Sequence, residues 1–210
     1  MCRFYTGVGA RATPKEIRLL MTRFARLQGR VCRSGGAEGA DESFESAHRL
    51  DLYLPWRNFR KKSGTWNYSQ RQLDFADSVL REAFPYSLVK PTTRALFRRN
   101  VWQIVGVCHS LKDVKPSEFV VCWTPDGATC LDEYDIQTTG GTGIAINIAS
   151  LFNVPVCNLQ LESHHEQVFE YCRKVERRLK LSFDYDSGRH YCKRTKQRMT
   201  AAAILERKGA

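Results

Sequence analysis

Glycine-rich turns are the residues of this chain that are equipped to do chemistry. One reads Ser34-Gly35-Gly36-Ala37-Glu38-Gly39-Ala40-Asp41 and another Thr139-Gly140-Gly141-Thr142-Gly143. A third, Gly7-Val8-Gly9-Ala10-Arg11, comes before both. Glycine lets a backbone approach a ligand closely and adopt positive φ. Where such a turn opens a helix, the first N–H groups lack carbonyl partners and the helix end carries partial positive charge. Together these hold a phosphate mainly through backbone amides. Ser34 and Thr142 would add hydroxyl donors, and Arg11, Arg33 or Arg99 a charge-assisted fork. Tight strand-to-helix turns use glycine in the same way without any ligand. Three such turns at one sheet edge weigh the reading toward an anion site.

None of the turns matches the dinucleotide G-x-G-x-x-G with its downstream acid, nor the Walker A loop with its Lys-Ser/Thr. Ordinary NAD or ATP-hydrolysis chemistry is therefore not supported, and no resident cofactor is expected. Glu38 and Asp41 are the best candidates for a working carboxylate, with Asp126 a third near the same edge. Each has a plain alternative: a solvated Glu38, an N-capping Asp41 and a turn-forming Asp126. The eight cysteines (2, 32, 108, 122, 130, 157, 172 and 192) form no C-x-x-C pair. Cys32, Cys122 and Cys157 stand in apolar runs and read as buried thiols, so no metal site is expected. His164-His165 reads as surface or cap.

These turns need elements to position them. Arg3-Phe4-Tyr5-Thr6 reads as a strand. A helix follows, with Thr13 as N-cap, Pro14 at its first position, Glu16 closing a capping box and Gly29 ending it. Val31-Cys32-Arg33 is a second strand, leading into a helix with Phe44, Ala47 and Leu50 inward. Leu52-Tyr53-Leu54 is a third strand, stopped by Pro55. Such strand–turn–helix alternation marks parallel βαβ units. Residues 56–68 are aromatic, basic and turn-rich. Helices are expected over 69–84 and 93–107, separated by a loop punctuated by Pro85 and Pro91. Phe119-Val120-Val121-Cys122-Trp123 suits the middle of a parallel sheet. A helix from Ile144 to Phe152, a strand over 154–159 and a basic amphipathic helix over 163–181 follow. Residues 182–210 read as a hairpin and a last helix from Thr200 to Arg207. The expected fold is α/β: a Rossmann-like parallel sheet flanked by helices. A domain over 1–160 would hold a helical, aromatic insertion at 56–99, and residues 161–210 would form a basic helical C-terminal extension.

The chain carries a net charge of +11, unevenly placed. Residues 171–210 hold 12 basic and 4 acidic side chains, residues 60–99 hold 9 and 3, and the remainder is slightly acidic. Clustering of this kind suits a polyanion and equally suits solvated helix faces. No apolar run approaches a membrane span. The N-terminus opens into a strand, so a cytoplasmic chain is expected, with no membrane partner.

The set Gly7-x-Gly9-x-Arg11, Ser34-Gly35-Gly36-Ala37-x-Gly39-Ala40-Asp41, Arg99-Asn100 and Gly140-Gly141-Thr142 resembles a known group over roughly residues 3–160. That group is the Rossmann-like superfamily often called SLOG. It unites bacterial DNA-processing protein A (DprA), the LOG-type phosphoribohydrolases and nucleotide-sensing relatives. Ser34 to Asp41 is similar to the S-G-x-A-x-G-I-D run of DprA, and Arg99-Asn100 to its R-N-R segment. The resemblance implies that Ser34, Gly35 and Gly36 contact a phosphate, that Arg99 and Asn100 line the same edge, and that Gly140, Gly141 and Thr142 close it. Gly7, Gly9 and Arg11 join the same set. LOG enzymes carry a catalytic Glu where Asn147 stands here, and an amide cannot do a carboxylate's acid–base work.

Three functions are thereby expected, in order. The first is DprA-like binding of single-stranded DNA. The second is cleavage of a nucleotide N-glycosidic bond with Glu38 or Asp41 as the working group. The third is non-catalytic binding of a signalling nucleotide. A homodimer is implied only by the resemblance. Trp56, Trp66 and Tyr68 would stack on unpaired bases or build a small aromatic core.

Overall fold

Five short strands make the spine: β1 (Phe4–Gly7), β2 (Val31–Ser34), β3 (Leu50–Leu52), β4 (Val120–Cys122) and β5 (Val156–Asn158). The computed structural model describes residues 3–84, 89–135 and 137–209. All five strands are parallel, in the order β3-β2-β1-β4-β5, with Tyr5 beside Cys32 and Val121 beside Cys157. This is the Rossmann-like arrangement expected from the sequence. Side chains alternate across the sheet. Val120 and Cys122 of β4 enter one core layer, while Val121 enters the other. No helix among the described residues is long and apolar enough to cross a membrane.

Helices cover both faces. On one side lie α3 (Gln70–Ala83), α4 (Pro91–Val105) and α5 (Gly141–Leu151), closing over Trp102, Ile104, Ile144 and Ile148. On the other lie α1 (Lys15–Leu27), α2 (Ala40–Phe44) and α6 (Glu162–Leu179), around Tyr5, Phe24 and Phe44. The segment 56–99 therefore divides. Its first part wraps the surface, while α3 and α4 are the crossover from β3 to β4 and build one face of the core. After α6, β6 (Leu181–Asp184), β7 (Arg189–Cys192) and β8 (Arg198–Met199) form an antiparallel sheet, and α7 (Ala201–Gly209) ends the chain. The extension thus combines strands with helices, as the hairpin and last helix read over 182–210 suggest.

Several local expectations are corrected. Thr13 caps no helix, because its hydroxyl donates back to the Ala10 carbonyl at 2.6 Å, leaving Pro14 at the cap and no capping box at Glu16. The capping box is at α3, where Ser69 and Gln72 exchange hydrogen bonds. Helix α2 stops at Phe44, so Leu50 opens β3 instead of facing inward from a helix. Strand β3 starts two residues early because its partners are Cys32, Arg33 and Ser34. Pro91 does not punctuate a loop but is the first residue of α4, where its missing N–H costs nothing. Pro85 and Cys2 lie outside the described residues.

The extension docks through buried charge. Arg23 of α1 donates to both carboxylate oxygens of Glu176 on α6, at 2.8 and 2.7 Å, and to the Tyr185 hydroxyl. His190 of β7, fully buried, lies 2.9 Å from Glu176 Oε1, and its other ring nitrogen accepts from Arg26 at 3.4 Å. Burial pushes Glu176 upward, but hydrogen bonds from Arg23 and His190 hold it below the ordinary carboxylate range. Burial pushes His190 below the ordinary imidazole value, more than Glu176 raises it.

Both groups bind fewer protons folded than unfolded, so stability rises with pH and is lost on acidification. Urea denaturation will show stability falling as pH drops through about 6.5, and again below about 4. H190Q will remove the upper step. E176Q will cost about 3–5 kcal/mol at neutral pH by leaving Arg23 buried and unpaired.

Candidate functional site

In an open parallel sheet the connections leave the carboxyl ends in opposite directions wherever the strand order reverses, and a crevice opens there. Here the reversal lies between β1 and β4. The crevice found there has a volume of about 440 Å³. Its floor and walls come from the loop after β1 (Gly9 to Ala12), from Asp41 at the start of α2, from α4, and from Thr138 to Thr142 at the start of α5. Apart from the middle of α4, the contributors are loops and helix ends that the parallel sheet brings to one edge.

The structure gathers part of the expected set and leaves part behind. Gly9, Arg11, Arg99, Asn100, Gly140, Gly141 and Thr142 line the crevice, as does Asp41. Gly7, Ser34, Gly35 and Gly36 are not among its described lining. Gly7 lies under Phe44, whose ring carbon a Cβ would meet at 2.2 Å. Ser34 is buried, with its hydroxyl 3.4 Å from the Asp41 carbonyl. Gly36 turns at φ +68° beneath Leu54 and Lys62. Gly35 is covered by Arg99, since a Cβ there would stand 2.6 Å from Nε. The second glycine turn therefore forms the layer behind the crevice.

Arg99 and Asn100 sit in the middle of α4. The Arg99 guanidinium donates to the Gly35 carbonyl and to Asn100 Oδ1, both at 3.0 Å, and reaches to 4.0 Å from Asp41 Oδ2. Asn100 in turn donates to the Gly141 carbonyl at 3.2 Å. Asp41 is 1% exposed and accepts from the Ala37 amide at 3.2 Å. Burial raises its carboxyl, against the Arg99 charge and the amides of Ala37, Gly9 and Gly35. Burial likewise lowers Arg99, against the pull of Asp41. Two polar atoms of this pair, Asp41 Oδ1 and Arg99 Nε, are buried without a partner.

The other candidate carboxylates are differently placed. Glu38 is exposed and ion-paired to Arg60 at 2.9 Å, outside the crevice wall. Asp126 accepts from Thr138 at 3.0 Å, from Thr139, and from the Ala128 amide at 3.3 Å. Burial pushes it up, but those donors and Thr124 hold it low. It fastens the segment that leads into Gly140. Asn147 points away: it is buried, and its amide donates to the Ala83 carbonyl on α3 at 3.0 Å. At this position the chain has an interior brace. Burial pushes the Cys32, Cys108 and Cys172 thiols up to about 12, so they stay protonated.

Sequence reading missed the apolar side of the crevice, formed by Phe59, Leu96 and Phe97. A signal existed for two of them. Leu96, Phe97 and Asn100 share one α-helical face by their i, i+3 and i+4 spacing. Two further polar lining residues, Thr138 and Thr139, come just before Gly140 in the sequence.

No protein-family model, curated protein or solved structure matches the chain, so the site is read from its own residues.

R99M will cost about 3–5 kcal/mol in urea denaturation at neutral pH, because Asp41 is left charged in the interior. The loss will shrink as pH falls and Asp41 takes up a proton. The double variant R99M/D41N will be more stable at neutral pH than R99M alone.

Proposed function

We propose that the crevice between β1 and β4 binds the phosphate of a nucleotide. The observation that carries this reading is the start of α5. Gly141 is exposed there, and a Cβ on Gly140 or Gly141 would meet no other atom within 4 Å. The first amides of a helix have no intrahelical acceptor and sit at its positive end. Arg11 stands exposed on the same wall and makes no ion pair among the described residues. Backbone donors, a helix end and an arginine at a topological switch point are what phosphate recognition requires.

The carboxylates favour binding over hydrolysis. Glu38 is engaged outside the crevice, Asp41 is committed to Arg99, and position 147 is an amide turned into the core.

A second reading, single-stranded DNA as in the DprA resemblance, is favoured by one surface feature. Trp56 and Trp66 are 41% and 40% exposed, and the Arg57 guanidinium lies 6.0 Å over the Trp66 ring. Exposed aromatics beside cations stack unpaired bases. Part of the charge counted over residues 60–99 is already used within the fold. Arg60 pairs with Glu38 and Glu42, Lys62 with Glu45, and Arg98 with Asp77. That places the single nucleotide ahead of the polymer.

Titration calorimetry at low salt with AMP, GMP, CMP and UMP tests the first reading. At least one will bind, and R11A will weaken it about tenfold through loss of a charge-assisted contact. G141A is the sharper variant. Its methyl enters the crevice, while Gly-to-Ala in a helix adds about 0.5–1 kcal/mol of stability. It will melt no lower than wild type and bind at least tenfold more weakly. No heat with any of the four at millimolar concentration overturns the reading. An oligo-dT gel shift that fades steeply with salt would move the weight to single strands.

A further inference from the structure

The crevice is lined by two chemically different sets of groups. One set is polar, with Arg11, Thr138 and the Gly140–Gly141 backbone; the other is apolar, with Phe59, Leu96 and Phe97. An inorganic phosphate or a sugar phosphate would fill the first and leave the second wet. Burying the apolar set needs a ligand with a phosphate at one end and a flat, weakly polar body at the other. The volume, about 440 Å³, is in the range of small-molecule sites.

Phe59 does not arrive there by chance of packing. It belongs to the stretch Trp56-Arg57-Asn58-Phe59-Arg60-Lys61-Lys62, in which Asn58, Arg60 and Lys61 all hold positive φ, at 57°, 52° and 59°. Left-handed backbone at non-glycine residues is costly and persists only where neighbours enforce it. The neighbours are carboxylates just before, in and just after α2. Arg60 bridges Glu38 and Glu42 at 2.9 and 3.0 Å, and Lys62 holds Glu45. Trp56 packs perpendicular to Phe59 with ring centroids 5.1 Å apart. The ring is thus braced by a second aromatic, and its loop is tied to α2 and its flanks by ion pairs.

We propose that Phe59, braced by Trp56, is the wall on which a nucleobase stacks, so that the crevice reads the base of its nucleotide as well as the phosphate. This rests on the phosphate reading above. Phe59 is then a specificity-determining contact, and Arg60 is a positioning residue that acts through the loop.

Titration calorimetry on the full chain compares the four nucleoside monophosphates with ribose 5-phosphate and phenyl phosphate. The best nucleotide will bind at least tenfold tighter than either control. F59A will erase that margin, about tenfold, by removing the stack, and will leave ribose 5-phosphate within twofold of its wild-type affinity. R60A will weaken the nucleotide and spare ribose 5-phosphate, and R60K will restore part of the loss. F59L, which keeps apolar bulk without a ring face, guards against a folding defect and will lose most of the margin. Equal binding of nucleotides and ribose 5-phosphate overturns base recognition and leaves the phosphate reading standing. Phenyl phosphate matching the best nucleotide also overturns it, because the wall then reads any ring. Binding of none of the six overturns both.

Discussion

A buried guanidinium needs partners, and Arg99 finds them in three separate parts of the chain. It takes the Gly35 carbonyl after β2, the Asp41 carboxylate at the start of α2, and Asn100 Oδ1 on its own helix. Asn100 passes the connection on to the Gly141 carbonyl at the start of α5. One side chain thereby fixes how two loops and two helix starts meet at the sheet edge. The demand runs back into the sequence. Glycine is required at 35 because a Cβ would occupy the space of the guanidinium. An acid is required at 41 because an uncompensated cation in the interior costs several kcal/mol. The glycine turn that most resembles a phosphate cradle therefore carries an arginine of the protein itself, and the open backbone lies one connection away, at Gly140 and Gly141.

The same economy governs the rest of the charge. A chain of net charge +11 invites the inference of a basic surface. Arg23, Arg60, Lys62, Arg98 and Arg99 are each matched to a carboxylate. Those pairs hold elements together: the extension to α1, the aromatic loop to α2, and α4 to α3. A count of lysines and arginines measures the charge available to a partner only after such pairs are removed. Arg11, on the crevice wall, is outside these pairs.

The layout of the fold was legible where it depends on local rules. Alternating apolar runs and glycine turns give parallel βα units, and the α5 start follows from Gly140 to Gly143. Phe119 to Trp123 has the apolar run of a central strand. What was not legible depends on contacts made at a distance. Thr13 follows capping grammar, yet its hydroxyl bonds the Ala10 carbonyl instead. Helix α2 has a helical pattern through Leu50, but pairing with β2 recruits Leu50 into the sheet. Nothing local in Arg99 says that it will lie across Gly35. The apolar half of the crevice was missed because Phe59 belongs to a surface loop whose direction is set by ion pairs to α2, more than a dozen residues earlier.

These placements separate what is general in the site from what is particular to this chain. The sheet order alone produces a crevice with a helix end in it, and any chain with this topology has that much. The C-terminal extension adds nothing to the crevice among its described lining residues, although it carries much of the basic excess. Its own buried charges face α1. The aromatic loop is the reverse case: two of its four cations, Arg60 and Lys62, pair with carboxylates in and beside α2, and its contribution is a ring at the crevice wall. Composition would assign ligand binding to the most basic segment. On the proposed reading, position puts it at the sheet edge and beside the surface loop that Arg60 and Lys62 pin there. The individuality of the site therefore resides in residues 56–62, because only there does a feature absent from the bare topology reach the place where a ligand would sit.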